Sequence, residues 1–304
     1  MSVFAVVLTW NNFKDAKECI ESLLQSTLPS IEVIVVDNAS QNQLVEMLKK
    51  FFGNVPRVHF IENPENYGFA KGMNIGIQEA LRRGAEYIIL MNDDAVVDER
   101  CIEILCATAA KDHSIGIVGP RILYYNDPKR IWHGGGYFSL LKSGPRVPEK
   151  NRLESVCSLN EYDVDFLTGC VLLIKRKVFE IIGLLDEDYF LYSEDVDFCL
   201  RAKKHGFRLV YVPRAKAWHK ISPDYRDRIS PLVMYHMARS RILFLKKNFP
   251  VWYFPYALAV HCLVYTPFRF LQALKSEQTG KSMWAWVRGT IDGIWCLLPL
   301  ASPR

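Results

Sequence analysis

The 304 residues are half hydrophobic, which is sufficient for one large α/β domain, with or without an appendage. The formal net charge is only +5, but residues 201–304 hold 18 Lys and Arg against 4 Asp and Glu, a balance of +14. This indicates an anionic partner, which could be nucleic acid, a phosphate-bearing substrate or an anionic membrane surface, and a solvated basic face is the alternative. The eight cysteines form no C-x-x-C pair, which argues against a zinc site or a disulfide framework and favours a reducing compartment.

Apolar runs alternate with helical patterns in the first third of the chain. The apolar runs predict strands at Val3–Leu8, Ile31–Val36, Val58–Ile61 and Tyr87–Met91. The 3.6-residue periodicity predicts helices at Lys14–Gln25, Leu44–Phe52 and Ala70–Arg82. This alternation is typical of a parallel sheet with helices on both faces, in which ligands bind at the carboxyl ends of the strands.

The later part of the chain is less regular. Residues 122–160 predict a loop-rich lobe over the site, followed by a β-rich segment over 164–174. Helices are predicted at 175–182, 195–204 and 231–247, with a strand at 209–212. We expect one α/β domain over residues 1–225 and a helical, basic and apolar region that associates with a membrane over residues 226–304.

Two groups of carboxylates lie at predicted element boundaries. They are Asn92-Asp93-Asp94 and Glu194-Asp195-Val196-Asp197. The structural alternatives are a hydrated loop for the first group and a dipole-stabilised helix start for the second. Clustered carboxylates repel one another, so a fold tolerates them best where a cation or a proton transfer uses them. Together the two groups favour one metal-dependent site with an aspartate as general base.

Three further segments are candidates for ligand binding. Asp37 follows a strand and could accept the imide N–H of uracil or thymine, although on its own it is better explained as an N-cap. Residues 66–74 open a helix, where glycines and free N–H groups suit phosphate or ribose oxygens, and a plain turn is an equal alternative. A single His219 is more often structural, but it could complete a metal site with carboxylates.

Five motifs, in this order and at these spacings, resemble the family-2 inverting glycosyltransferases of the GT-A fold, and their rhamnosyltransferase-like branch in particular. They lie at residues 6–11, 35–40, 66–72, 91–94 and 183–197. None is specific on its own, and the resemblance extends from about Val3 to His219. It implies an α/β, GT-A-type nucleotide-binding fold with a mostly parallel central sheet, followed by a helical C-terminal appendage, and it implies that the domain over residues 1–225 is a GT-A glycosyltransferase domain.

The resemblance also implies roles for individual residues. The implied donor-binding residues are Thr9 and Asp37 for the pyrimidine base, Asn66, Lys71 and Asn74 near the ribose and diphosphate, and Asp93 beside the metal. Asp94 would bind Mg²⁺ or Mn²⁺, with His219 as a further ligand, and Asn92 replaces the first aspartate of a strict D-x-D motif. Asp195 would be the catalytic base, with Glu194 and Asp197 supporting it or contacting the acceptor.

The implied reaction is a single displacement that inverts the anomeric carbon. The sugar, with rhamnose as a candidate, would pass from a dTDP- or UDP-sugar to a glycan or lipid-linked acceptor in surface polysaccharide synthesis. A nucleotidyltransferase is the enzymatic alternative, but it would need a basic glycine-rich loop where residues 9–12 stand. A non-catalytic, membrane-associated nucleotide-sugar-binding protein would not need the acidic segment 194–197.

The C-terminal region predicts contact with a membrane. Pro250–Phe268 contains no Asp, Glu, Lys or Arg and approaches the roughly 20 residues that span a bilayer, but prolines and His261 interrupt it. Interfacial helices flanked by Lys and Arg are therefore preferred over a spanning helix, and a buried subdomain or a homodimer interface would also account for the apolar runs. We expect a cytoplasmic protein, peripheral on the inner face of an anionic membrane, that does not bind nucleic acid.

Overall fold

The computed structural model describes residues 1–41, 43–221 and 229–296. The strands are β1 (Val3–Thr9), β2 (Ile31–Asp37), β3 (Val58–Glu62), β4 (Tyr87–Asn92), β5 (Ala95–Val97), β6 (Ile115–Tyr124), β7 (Ile131–His133), β8 (Tyr137–Ser139), β9 (Gly144–Arg146), β10 (Tyr162–Asp163), β11 (Val171–Lys175) and β12 (Arg208–His219). The helices are α1 (Phe13–Leu24), α2 (Leu44–Phe52), α3 (Gly68–Arg82), α4 (Cys101–Ala110), α5 (Arg176–Ile182), α6 (Glu194–Lys204), α7 (Pro231–Asn248), α8 (Phe254–Val260), α9 (Thr266–Ala273) and α10 (Thr279–Trp295). The predicted domain boundary at 225–226 lies outside the described residues.

The central sheet is mixed. Its strand order is β10-β12-β6-β11-β4-β1-β2-β3, with β5 beside β12 and β7 beside β6. The β4-β1-β2-β3 half is parallel, as the alternation of strands and helices predicts. In the other half, β12 is parallel to β6, but β11 runs antiparallel to both β4 and β6. The predicted α/β fold class with a mostly parallel sheet is confirmed, and the reversal of β11 is an addition to it.

Helices cover both faces of the sheet. On β1, Val3, Ala5 and Val7 pack into one core together with α1, α2 and α4. Phe4 and Val6 point to the other face, where α3, α5 and α6 complete a second core. A strand buried on both sides has no polar face, which explains why β1 is a continuous apolar run rather than an alternating one. Burial of each large apolar side chain stabilises the fold by about 1.5–3 kcal/mol.

Two long strands depart from the sequence expectations. The buried strand β6 was not predicted; its last residues fall in the predicted loop-rich lobe, and polar Arg121 interrupts its apolar pattern. The guanidinium of Arg121 is buried because it donates to the Tyr211 hydroxyl at 3.0 Å and to the Ser158 carbonyl at 2.7 Å. β12 continues to His219, well past its predicted end at Val212, through an irregularity in register between Val212 and Lys216.

The C-terminal helices form a small subdomain. The α7 helix begins at Pro231 and is capped by Ser230, whose hydroxyl accepts from the Val233 N–H at 3.4 Å. It packs against α10, with Trp286 buried between the helices. Within the described ranges, we find no helix that combines the length and apolarity required to cross a bilayer. The same region exposes many large apolar side chains, including Val251, Trp252, Leu263, Val264, Phe268, Leu271, Leu274, Trp284 and Trp295.

Candidate active site

Four segments meet at one edge of the sheet. The β4 strand ends there at Asn92, and because β11 is antiparallel to β4, the residues that precede β11 lie at the same edge. The Asn92 N–H donates to the Cys170 carbonyl at 3.0 Å, which fixes this junction. The end of β12 pairs with β5, so His219 lies opposite Ala95 and next to Asp94. The sheet therefore joins segments that are more than a hundred residues apart in sequence.

A cavity of about 410 Å³ occupies this edge. Its lining residues are Phe69, Asn92, Asp94, Trp132, Thr168, Gly169, Cys170, Leu191, Tyr192, Glu194, Asp195, His219, Ile221 and Met237. Both acidic segments thus contribute to one cavity, as the sequence predicts for a site assembled from separate segments. Trp132 belongs to the predicted loop-rich lobe and packs edge-on against the His219 ring at 4.3 Å between centroids.

Asp195 has the environment of a general base. Its carboxylate accepts the Gly169 N–H at 2.9 Å, which holds one oxygen against the residues before β11. Burial raises the pKa of Asp195, and the N–H donors of Gly169 and Val196 only partly oppose that effect. A carboxylate with a raised pKa is a stronger base than an exposed aspartate, and it lines the cavity from the start of α6.

Glu194 lies beside Asp195 in the same cavity. One of its carboxyl oxygens, Oε2, is buried and has no hydrogen-bond partner. Burial raises the pKa of Glu194 well above its usual range, and the neighbouring Asp195 charge raises it further. Both acids therefore hold a proton more readily than exposed carboxyls do, and the unpartnered oxygen of Glu194 is available to contact a ligand.

The structure corrects the prediction for Asp197. Its carboxylate pairs with Arg201 at 2.8 Å and accepts from the Asn248 amide at 2.7 Å. The side chain is only 3 % exposed and is absent from the cavity lining. Asp197 therefore joins α6 to α7 and has a structural role in place of the predicted catalytic one.

Asp94 and His219 lie together as predicted. The His219 Nε2 atom is 3.0 Å from the Asp94 carboxylate. Burial on its own would raise the pKa of Asp94, but the interaction with His219, together with hydrogen bonds from the backbone and from Asn92, outweighs burial, so the net shift is downward. Among the described residues, no group of three or more His, Cys, Asp and Glu side chains is arranged to hold a metal ion.

The amide of Asn92 completes the oxygen-rich corner of the cavity. Its Oδ1 atom is buried and has no hydrogen-bond partner, and it lines the same cavity as Asp94 and His219. A carboxylate, an amide oxygen and an imidazole are acceptable ligands for Mn²⁺, and the two oxygens suit Mg²⁺. These three ligand atoms therefore suit a divalent cation, and they fill only part of its coordination shell.

The ends of β1 and β2 hold the residues predicted to bind the base. The Thr9 hydroxyl donates to Asp93 at 2.8 Å, and burial, followed by the Asp94 charge, raises the pKa of Asp93 to about 7. One oxygen of Asp37 accepts the Ser40 N–H at 3.0 Å and closes a turn. Its other oxygen is buried without a partner. The residue before α2 is Gln43, so Asp37 is not the N-cap of that helix.

The segment that opens α3 is occupied by its own contacts, contrary to the prediction of free N–H groups. The Asn66 side chain accepts the Gly68 N–H at 2.9 Å, and the Phe69 N–H donates to the Phe190 carbonyl at 2.7 Å. Gly68 has φ of 77°, and a side chain there would overlap Phe190. Asn66 and the glycine therefore serve the packing of α3 against the segment before α6, and the N–H groups of Gly68 and Phe69 are not free for a phosphate.

Asn74 is used by internal contacts, whereas the predicted role of Lys71 near the ribose and diphosphate stays a prediction. The Asn74 amide donates to the Leu185 carbonyl and to Glu187, both at 2.9 Å, and its oxygen accepts the Leu185 N–H. These contacts use both amide hydrogens, so Asn74 joins α3 to the segment before α6 and has no N–H left for the oxygens of a nucleotide-sugar. The Lys71 ammonium lies 3.8 Å from the centroid of the Tyr67 ring, where it makes a cation–π contact.

Sequence reasoning missed the backbone that presents Asp195. Tyr192 and Ser193 have φ values of 70° and 72°, and two consecutive non-glycine residues in the left-handed region are uncommon. Such conformations cost of order 1–3 kcal/mol each and concentrate at functional sites. No composition signal marks them, whereas Gly169 could have been found as a glycine that directly precedes an apolar strand.

Comparison with known proteins identifies the family. The family model described as glycosyl transferase family 2 matches residues 4–183, which is more than half of the chain. The chain belongs to glycosyl transferase family 2. The predicted family is thereby confirmed, and with it the glycosyltransferase class of enzyme. The matched range ends before α6, so Asp195 lies beyond it.

Curated relatives of this glycosyltransferase include rhamnosyltransferases. It is 26 % identical over 307 residues to the dTDP-rhamnosyl transferase RfbF of Shigella flexneri, covering 96 % of this chain and 95 % of that protein. It is 27 % identical over 273 residues to an N-acetylglucosaminyl-diphospho-decaprenol L-rhamnosyltransferase of Mycobacterium tuberculosis, covering 82 % and 85 %. The predicted rhamnosyltransferase-like branch agrees with these relatives.

Solved structures support the fold. The mannosyltransferase PcManGT of Pyrobaculum calidifontis, in complex with GDP-Man and Mn²⁺, superposes with a TM-score of 0.59 at 15 % identity, covering 97 % of this chain and 88 % of that one. S. aureus TarS in complex with UDP-GlcNAc superposes with a TM-score of 0.59 at 16 % identity, covering 98 % and 82 %. At such identities the likeness concerns the fold alone.

Proposed function

We propose that this glycosyltransferase inverts the anomeric carbon of a dTDP- or UDP-sugar, with dTDP-rhamnose as the first candidate, and transfers the sugar to a lipid-linked glycan. The observation that carries the proposal is the single cavity into which Asp195 and Asp94 both open. In this proposal, the Asp195 carboxylate takes a proton, and the Asp94 carboxylate, with its neighbours, binds a cation and the diphosphate. The names of the rhamnosyltransferase relatives support the choice of sugar.

In the proposed reaction, Asp195 removes the proton of an acceptor hydroxyl. The oxygen forms a bond to the anomeric carbon as the bond from that carbon to the phosphate oxygen breaks, and the electron pair leaves with the nucleoside diphosphate. Attack and departure occur on opposite faces of the sugar, so the configuration inverts. The Gly169 N–H orients the Asp195 carboxylate, and Glu194, when protonated, can donate to a sugar or acceptor oxygen.

Asp94, His219 and the Asn92 side-chain oxygen are the residues that would hold Mg²⁺ or Mn²⁺. When bound, the cation would neutralise charge on the departing diphosphate. The buried and unpartnered Asn92 oxygen supports this proposal, because a buried acceptor without a donor costs free energy that a ligand would recover. The presence of Mn²⁺ in a structural neighbour is consistent with such use of the fold.

The proposed base pocket lies at the ends of β1 and β2. The free oxygen of Asp37 is an acceptor and would pair with the imide N–H that uracil and thymine carry and cytosine lacks there. Thr9 holds Asp93 in place next to this pocket. We therefore propose that Asp37 selects the base and that Thr9 and Asp93 lie between the base pocket and the cation site.

We further propose that the C-terminal subdomain lies on an anionic membrane, where a lipid-linked acceptor would be found. Trp252 and Leu263 are 78 % and 77 % exposed, and they belong to a region with a balance of +14. An apolar surface with surrounding Lys and Arg is typical of interfacial binding. This placement corresponds to a cytoplasmic protein that is peripheral on the inner face of the membrane.

A donor screen tests the proposed function. Purified protein is incubated with dTDP-rhamnose, UDP-glucose, GDP-mannose and CDP-activated sugar, with and without Mn²⁺, and nucleoside diphosphate release is measured in the presence of a membrane lipid extract. We expect release from the thymidine or uridine donors, with stimulation by the cation. Release from the guanosine donor alone would contradict the proposed base pocket and donor.

A further inference from the structure

A second cavity, of about 150 Å³, adjoins the catalytic one. Tyr192 and Met237 line both cavities, so the two are neighbours across a thin wall. Ser193 and Val196 also line the second cavity, and in sequence they flank the acids Glu194 and Asp195. A ligand in the second cavity would therefore lie beside the proposed catalytic base.

The lining combines aromatic rings with two arginines. Phe138, Phe244 and Trp286 supply apolar walls, and Arg241 and Arg269 supply the charge. None of the described residues that line this cavity is an aspartate or a glutamate. Two cations on an apolar lining without a carboxylate predict an anionic ligand with an apolar portion.

Arg241 is held in place and has capacity for a further partner. Its guanidinium stacks on the Tyr265 ring at 3.6 Å and donates to the Ser143 carbonyl. Its Nε atom is buried and has no hydrogen-bond partner. Burial lowers the pKa of Arg241, which means that its charge is poorly compensated in the protein alone. A planar guanidinium that is already oriented by stacking loses little entropy when it binds phosphate oxygens.

The surroundings of the cavity indicate where the apolar portion would go. Tyr265 and Arg269 come from the turn and helix that also carry Leu263, Val264 and Phe268. Those three side chains are 77 %, 59 % and 55 % exposed. An apolar chain attached to an anion in the cavity could therefore continue over an exposed apolar surface.

We propose that the second cavity binds the diphosphate of a lipid-linked acceptor, with Arg241 and Arg269 on the phosphate oxygens and the lipid over the exposed side of α9 and the turn before it. The inference rests on the proposed function, because it places the acceptor sugar within the neighbouring cavity that contains Asp195. The same phosphate chemistry could come from the nucleotide, so the test separates the two sources.

The test measures binding to the full chain without any sugar donor, using farnesyl diphosphate and dTDP as separate probes in titration calorimetry. The variants are Arg269→Gln and Arg241→Gln, and the matched control is Arg288→Gln on α10, whose side chain is 69 % exposed and does not line the cavity. We expect Arg269→Gln to weaken farnesyl diphosphate binding about tenfold or more, since a charge-assisted contact is lost. dTDP binding should stay within twofold, and the control should bind both probes normally.

Two outcomes would overturn the inference. One is equal binding of farnesyl diphosphate by the wild type and Arg269→Gln, and the other is a parallel loss of dTDP binding, which would assign the cavity to the nucleotide. If Arg241→Gln fails to fold, Arg269→Gln and Arg241→Lys decide, with Arg241→Lys expected to bind farnesyl diphosphate more weakly than the wild type, because lysine keeps the charge but lacks the planar guanidinium that stacks on Tyr265. If the wild type turns over the donor normally but the arginine variants bind farnesyl diphosphate as well as the wild type does, this inference is wrong and the proposed function stands. If farnesyl diphosphate binding depends on the arginines but no donor is turned over, the proposed function is wrong and this inference stands.

Discussion

Replacement of Asp195 by Asn should separate catalysis from binding and folding. Asn has nearly the same shape as Asp, and its carbonyl oxygen can still accept the Gly169 N–H that contacts the carboxylate at 2.9 Å. Its amide nitrogen replaces the oxygen that accepts the Val196 N–H at 2.7 Å, so that one local hydrogen bond is lost. It cannot accept a proton from the acceptor hydroxyl. Since positioned general bases contribute about 10²–10⁴-fold to the rate, kcat should fall by that factor while the Kd for dTDP stays within about twofold.

Asp197→Asn is the matched control, because the same chemical change is made two residues away. Asp197 pairs with Arg201 at 2.8 Å, and Arg201 keeps the carbonyls of Ile182 and Leu184 as partners when that pair is lost. The loss of stability should therefore be about 2 kcal/mol, below the roughly 3–5 kcal/mol that follows when a buried charge is left alone. For a chain of 304 residues, this corresponds to a fall in Tm of roughly 3 °C.

The assay is nucleoside diphosphate release together with thermal unfolding for both variants. Asp195→Asn should lose turnover while its Tm falls by no more than that of Asp197→Asn, whereas Asp197→Asn should lose stability and keep most of its turnover at a temperature where it is folded. Turnover by Asp195→Asn close to the wild-type rate would remove that residue from the role of base. A larger loss of turnover in Asp197→Asn than in Asp195→Asn would reverse the two assignments.

The remaining predictions use the same protein and assay. EDTA should inhibit the wild type, and Asp94→Ala should weaken diphosphate binding; activity that is indifferent to chelation would contradict the metal assignment. Asp37→Ala should reduce the preference for thymidine and uridine over cytidine diphosphates by about tenfold, and an unchanged preference in a binding titration would count against the base pocket. The fall of kcat at acid pH should have an apparent pKa above the 3.8 of an ordinary aspartate, because burial raises the pKa of Asp195. Turnover requires the ionised form of Asp195, so activity is lost as the pH falls through this raised pKa. With anionic liposomes, Trp252→Ala with Leu263→Ala should lower the fraction that stays bound in high salt without a change in Tm; equal sedimentation of variant and wild type would reject this surface.

The sequence alone was sufficient to predict the β4-β1-β2-β3 half of the sheet. Its strands are uninterrupted apolar runs, and the helices between them have a clear 3.6-residue period, so β1 and α2 were predicted nearly to the residue. It was not sufficient for β6 and β12. Arg121 is charged yet almost fully buried, since Tyr211 and Ser158 satisfy it across a tertiary contact that no local pattern reveals.

For the candidate site, one correction was available from helix geometry. Side chains two positions apart on a helix are separated by about 200°, so Asp195 and Asp197 cannot both face one cavity. The spacing of Asp197 and Arg201 at i and i+4 is also the spacing of a helical ion pair. In contrast, the sequence does not predict that Asn66 and Asn74 form hydrogen bonds within the protein, because their partners depend on how α3 packs against the segment before α6.

Because β11 runs antiparallel to β4, the contact between Gly169 and Asp195 depends on how β11 packs in the core. Gly169 contacts Asp195 only because the start of β11, and not its end, lies at the edge where β4 finishes. A shift of one residue in the pairing of β11 would carry Gly169 along the strand by about 3.3 Å and turn its neighbours to the opposite face. Substitutions of buried β11 residues such as Leu173, remote from any substrate, should therefore change turnover before they change the Kd for the donor, and directed evolution of this enzyme would find rate-altering mutations deep in the sheet.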